Sequence, residues 1–179
     1  MKLLLLAAAL FAANLANAAT LDAATQSKVD AKVKEIQSWA AADAVVSAVR
    51  SANAAKTPEA AAMNQDKWKT LTLLDPFVRS LAKNSAGEFL RSEKSDTVTE
   101  AFLSAADGSK VAFLSKSSNW SHKGKPKHDV PMSGKTWRGD VEVDESTGLQ
   151  QVQVAVPVMD GGKAIGSLVV GLSIGALSH

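Results

Sequence analysis

The stretch Thr136–Leu177, TWRGDVEVDESTGLQQVQVAVPVMDGGKAIGSLVVGLSIGAL, decides the fold. Within it Val152, Val154, Val156 and Val158 alternate with Gln151 and Gln153. Successive strand side chains point to opposite faces, so this pattern predicts a strand with one face on a core. Asp160-Gly161-Gly162 then supplies residues that tolerate the positive φ of a tight turn. The run Ala164–Leu172 is apolar on both faces, which predicts a central strand pairing antiparallel with the first.

Working back from this hairpin, a short strand is expected near Val141–Val143. A further hairpin runs from Thr97 to Ala105 and from Lys110 to Ser115, turning at Asp107-Gly108. Before Thr97 the rhythm is helical. Val29, Val33, Ile36 and Ala40 recur at spacings of four, three and four, with Val45 and Val49 beyond, so residues 21–52 read as one long amphipathic helix. Thr57-Pro58-Glu59 places a capping hydroxyl, a proline and an acid where a helix to about Thr72 would start. Asp75-Pro76 repeats the device, and Ser85-Ala86-Gly87-Glu88 has the form of a capping box. The sum is an α+β domain, with an antiparallel sheet of about five strands in residues 97–177, a long N-terminal helix and short helices on one side. Lys116–Lys135, holding Gly124, Pro126, Pro131 and Gly134, shows no period and reads as a long loop.

The chain of 179 residues suits one such domain, expected over 19–179. Its start, MKLLLLAAALFAANLANA, has a lysine, an apolar run and a small-residue site at Ala16-Asn17-Ala18. That is the form of a secretory signal cut after Ala18, which predicts a periplasmic protein. Cysteine is absent, which excludes disulfides, thiolate zinc sites and a Cys nucleophile. The net charge of +2 is too small to suggest nucleic acid, yet it is unevenly placed. Lys116, Lys123, Lys125, Lys127, Lys135 and Arg138 face only Asp129 between residues 116 and 138, so the rest of the chain is net negative.

Three pieces of this sequence resemble the Cache, or PDC, family of extracytoplasmic PAS-like sensor domains, in its single-Cache form. They are Asp75–Ala82 before the sheet, Ala101–Ser115 around Asp107-Gly108, and Trp137-Arg138-Gly139 through Val156-Pro157-Val158 and Asp160 to Gly166–Ile174. The resemblance implies a long N-terminal helix along an antiparallel sheet, with a small molecule held between the sheet and the loop that crosses it. It also implies a signalling partner in the membrane, here a separate receptor or kinase. In amino-acid-binding members an Asp at the end of the last strand takes the ligand's ammonium group, and the matching place here is Gly171. Asp144 matches a second acidic position, while Glu142 stands where an aromatic is expected.

The basic loop and its flanking Trp120 and Trp137 predict a pocket for an organic anion, since Lys and Arg offset the cost of drying a carboxylate. Trp120, His122, Lys127, His128, Trp137, Arg138 and Asp144 are the candidate ligand-binding residues. Trp39 and Trp68, at apolar helical spacing, read as core. His122 and His128, six apart, fit no standard metal site, and no cofactor motif is visible. Neither histidine has an evident nucleophile or carboxylate partner, so no enzyme is expected. The leading expectation is a periplasmic domain that binds a carboxylate-bearing metabolite and relays its occupancy. The alternative is an envelope protein that dimerises or docks through its Ala-rich first helix, its pocket filled by core side chains.

Overall fold

The computed structural model describes residues 21–143 and 148–178. The expected signal segment and Asp144 lie outside the described residues. The chain begins with helices α1 (Ala23–Ala40) and α2 (Asp43–Ala54) where one long helix is expected. Asp22 caps the first, its carboxylate accepting from the Ala24 and Thr25 N–H groups. The break falls at Ala42, whose backbone is extended (φ −64°, ψ 140°). Its reason is phase. At about 100° per residue, Val45 on an unbroken helix would sit about 140° from Ala40, well off the buried stripe. The break lets Val45 and Val49 join Val29, Ile36 and Trp39 in one core.

Helices α3 (Pro58–Ala61) and α4 (Gln65–Thr70) replace the single helix expected from Pro58 to about Thr72. Asn64 starts the second by accepting from the Lys67 N–H. Helix α5 (Pro76–Lys83) opens on Asp75, and α6 (Ser85–Ser92) on Asn84, one residue before the anticipated Ser85.

Strands β1 (Val98–Ala105) and β2 (Lys110–Phe113) form the first hairpin, with Gly108 at φ 82° in its turn. Helix α7 (Pro126–Met132) then occupies the middle of the supposed loop. Pro126 sits in its first turn, where the missing N–H costs nothing, and Gly134 just beyond its end adopts φ 81°. Two prolines and a run of lysines hid this helix, because its inward face consists of His128 and Pro131 rather than an apolar stripe. Strands β3 (Trp137–Val143), β4 (Gln150–Asp160) and β5 (Lys163–Ser173), and a last helix α8 (Ile174–Ser178), complete the chain. No helix among the described residues is long and apolar enough to cross a membrane.

The five strands form one antiparallel sheet in the order β2-β1-β5-β4-β3, with β5 central as expected. Val152, Val154, Val156 and Val158 face a core closed by α1, α2 and α6. On the opposite face Phe102, Phe113, Ala155 and Val169 pack against Trp68 of α4 and Val78 of α5. Helix α7 lies on that side too, where the His128 Nδ1 lies 2.7 Å from the Ser167 Oγ on β5. The short helices are therefore not confined to one side. The sheet is covered on both faces.

Candidate functional site

The second face of the sheet is not filled throughout. Toward one end of the strands it carries Glu100 and Phe102 from β1, Gln151 and Gln153 from β4 and Glu142 from β3, the last paired in register with Gln151. Above them runs a strap, residues 115–122, and between strap and sheet lies a cavity of about 420 Å³. Helix α4 holds the strap down. The Trp68 Nε1–H donates to the Ser117 carbonyl at 2.8 Å, the Gln65 side-chain amide donates to the Ser118 carbonyl at 2.8 Å, and the Trp120 N–H returns a bond to Gln65 at 2.9 Å. The His122 N–H closes the far end on the Gly108 carbonyl.

A chain of polar groups crosses the cavity floor. The Lys127 ammonium donates to the Gln153 Oε1 at 2.7 Å, and the Gln153 Nε2 donates to the Glu100 carboxylate at 2.5 Å. Gln151 accepts from the Thr99 hydroxyl at 2.5 Å and donates weakly toward Glu100 and Glu142 at 3.4 and 3.5 Å. The Lys116 ammonium sits 4.5 Å above the Trp68 ring on the strap side. Opposite charges therefore meet one enclosed space, and the two glutamines bridge between them.

His122 is nearly closed off, with 3% of its surface exposed. Its ring stacks on Phe102 at a centroid distance of 4.6 Å, and its Nδ1 lies 2.6 Å from the Lys110 Nζ. Burial, followed by the positive charges of Lys110 and Lys127, pushes the imidazole down to about 3. Burial, reinforced by Lys127 and opposed by Glu100, holds the Lys110 amine well below the usual lysine range.

A pH dependence follows. An unfolded histidine takes up a proton near pH 6.5, which the folded His122 refuses until about pH 3. Between those values the unfolded state binds more protons, so stability falls as the pH is lowered. Asp22, Asp107 and Asp160, held below the carboxylate range, add their own loss only below about pH 4. Burial holds His128 below the usual histidine value too, so melting temperatures should fall from about pH 6.5 to 4.5, and His122→Gln should make that part of the curve less steep without abolishing it. A wild-type profile already flat in this window would contradict the buried, neutral His122.

The residues singled out in the sequence are only partly brought together. His122 and Lys127 line the cavity. Trp120 lies behind the strap, 5.2 Å from Trp68 and 5.8 Å from Phe77 in the core. His128 is buried, its ring nitrogens against the Ser167 Oγ and the Ala106 carbonyl. Trp137 packs half-buried with that same core, its ring over Gly139. Arg138 belongs to the other face. One residue along a strand reverses the side, so Arg138 reaches helix α1 and pairs with Asp30 at 3.3 Å.

The sheet's own contribution to the cavity leaves no mark in the loop. Glu100, Glu142, Gln151 and Gln153 were legible only as polar members of alternating strands, and such residues usually face water. The signal lay in Gly171. It pairs with Glu100 in register, and a side chain there would run into Thr99, the Gln151 Oε1 at 2.5 Å and Glu100 at 2.8 Å. The bare glycine makes room for this network, and a carboxylate stands at the same level on the next strand.

No protein-family model matches this sequence, and no curated protein does. Among solved structures, the chain is similar to the ligand-binding domain of the Pseudomonas aeruginosa PAO1 amino acid chemoreceptor PctC in complex with GABA. The two are 14% identical over 86% of this chain and 56% of that one, with a TM-score of 0.48. It is also similar to the sensor domain of the V. cholerae histidine kinase DctB, at 17% identity over 84% of this chain and 59% of that one, with a TM-score of 0.40. A third is the sensory domain of the Campylobacter jejuni chemoreceptor Tlp3 with isoleucine bound, at 14% identity over 88% and 66%, with a TM-score of 0.41. The chain thus spans little more than half the length of the first two. Its own topology is the PAS-like one that the Cache resemblance implies: an N-terminal helix along an antiparallel five-stranded sheet, with a cavity under the crossing segment.

Proposed function

We propose that this protein is a sensor domain whose cavity binds a small, carboxylate-bearing metabolite. The observation that carries this reading is the open polar cavity between the strap and the second face of the sheet. Lys127 and Lys116 supply positive charge at its wall, and charge-assisted bonds from such groups are the strong ones available to a carboxylate. Glu100 and Glu142 on the same cavity suit a ligand that also carries an amino group. The alternative of an envelope protein with a filled sheet face is not favoured by a cavity of this size. On the proposed reading, the signal segment directs the chain to the periplasm, where occupancy is relayed to a membrane receptor or kinase.

A thermal-shift screen of organic acids and amino acids tests the binding. A ligand at about 100 times its Kd stabilises by about 2.7 kcal/mol, which raises the melting temperature by several degrees. Lys127→Met, which removes the ammonium but keeps most of the side-chain volume, should melt close to the wild type and lose that rise. A folded protein that no compound stabilises would count heavily against the proposal.

A further inference from the structure

Behind the cavity wall sits a group that its function has not used. Lys110 projects from the edge strand β2 onto the same face as Phe102, with 3% of its surface exposed. A buried lysine is normally paired with a carboxylate. Among the described residues its polar partner is instead the His122 Nδ1 at 2.6 Å, and its nitrogen rests 3.9 Å from the centre of the Phe102 ring. The face of an aromatic ring is negative and draws N–H hydrogens toward it. Among the described residues His122 meets a polar side chain only through its Nδ1, and the residue lines the cavity.

From this geometry we propose that His122 presents an Nε2–H donor to an oxygen of the bound ligand, and that Lys110 is the positioning residue that holds it in that tautomer. The inference rests on the cavity being the ligand site. Here the Lys110 nitrogen is the donor, and its N–H given to Nδ1 leaves the ring's one proton on Nε2, whereas a neutral amine accepting from an Nδ1–H would give the opposite tautomer. The neutral ring then discriminates. It offers a donor to a carboxylate or carbonyl oxygen and nothing to an ammonium group, so it fixes which end of a dipolar ligand lies beside Phe102. Lys127 gives one N–H to Gln153 and keeps others for the ligand, so it shares the oxygen end with His122, while Glu100 accepts from Gln153 and Gln151. His128 is turned to Ser167 and Ala106.

The test uses ¹⁵N imidazole spectra of the ligand-free protein, which report tautomer and titration directly. His122 should show the Nε2–H form at neutral pH and stay unprotonated through the usual histidine range. Lys110→Met should mix the two tautomers. An Nδ1–H form in the wild type, or an unchanged tautomer in Lys110→Met, would overturn the proposal. The second arm adds sodium succinate, then glycine as a dipolar probe, and follows cavity amides together with the Nε2–H resonance. Movement of both supports the donor role, and movement of the cavity amides with a still Nε2–H refutes it. If neither probe moves any cavity amide while the tautomer holds in the free protein, the Lys110 part stands and the reading of the cavity as a carboxylate site fails.

Discussion

Trp68→Ala should lower stability by roughly 3–5 kcal/mol, the range for deleting a fully buried large aromatic side chain. Trp68 is completely buried, meeting Phe113 edge-on at 6.1 Å and Trp120 at 5.2 Å. It also anchors the strap through the Ser117 carbonyl, so its loss reaches the cavity as well as the core. Against a total stability of about 5–15 kcal/mol, the variant should unfold at much lower urea. Trp68→Phe separates the two roles. It keeps most of the packing but removes the N–H, at about 1 kcal/mol, and should weaken ligand stabilisation more than it weakens the fold. An alanine variant within about 1 kcal/mol of the wild type would contradict this account of the second core.

Gly166→Val should be the other severe change. Gly166 sits in β5 opposite Ala105, and a Cβ there would run into the Ser104 backbone carbonyl as well as the Val49 side chain at 2.7 Å. A flexible side chain can swing away, but a strand carbonyl bonded into the sheet cannot. The strands must part or shift, at about 3 kcal/mol or more, the upper end for overpacking. Gly161→Ala is the contrast. Nothing lies within 4 Å of its would-be Cβ, and only its φ of 54° opposes a side chain, so its cost should be about 1–2 kcal/mol. Urea unfolding of both variants checks the difference. Equal losses would mean that close strand approach at Gly166 does not matter.

Much of the fold was legible because single physical signals dominated. Alternating valines fixed β4, the doubly apolar run fixed β5 at the centre, and Asp107-Gly108 fixed the first turn. The break between α1 and α2 was also present, in the five-residue step from Ala40 to Val45, but alanine fits both a buried and an exposed face and masked the change of phase. Helix α7 was hidden for a different reason. Its buried face is held by hydrogen bonds of His128, and a polar contact leaves no apolar period in the sequence.

The site was less legible than the fold. Residues near one another in the loop diverged in space: Arg138 turned to α1, Trp120 to the core, and Lys116, His122 and Lys127 to the cavity. What completed the cavity came from strands, where Glu100 meets Gln151 and Gln153 across separations of 51 and 53 residues and Glu142 pairs with Gln151. Local spacing carries no record of such a pairing. The restriction is in the register, and Gly171 was its only local trace.

The central claim is that ligand binds under the strap and not elsewhere on the molecule. A second cavity, about 450 Å³ and mostly apolar, opens between α2 and α5 near Ser51, Phe77 and Leu81, and offers the natural control. Backbone amide shifts on titration with the carboxylate that most stabilises the protein decide between them. Changes should centre on Glu100, Phe102, Asn119, His122 and Gln153 and vanish in Lys127→Met. Changes centred instead on Ser51, Phe77 and Leu81, or unaltered by Lys127→Met, would contradict it.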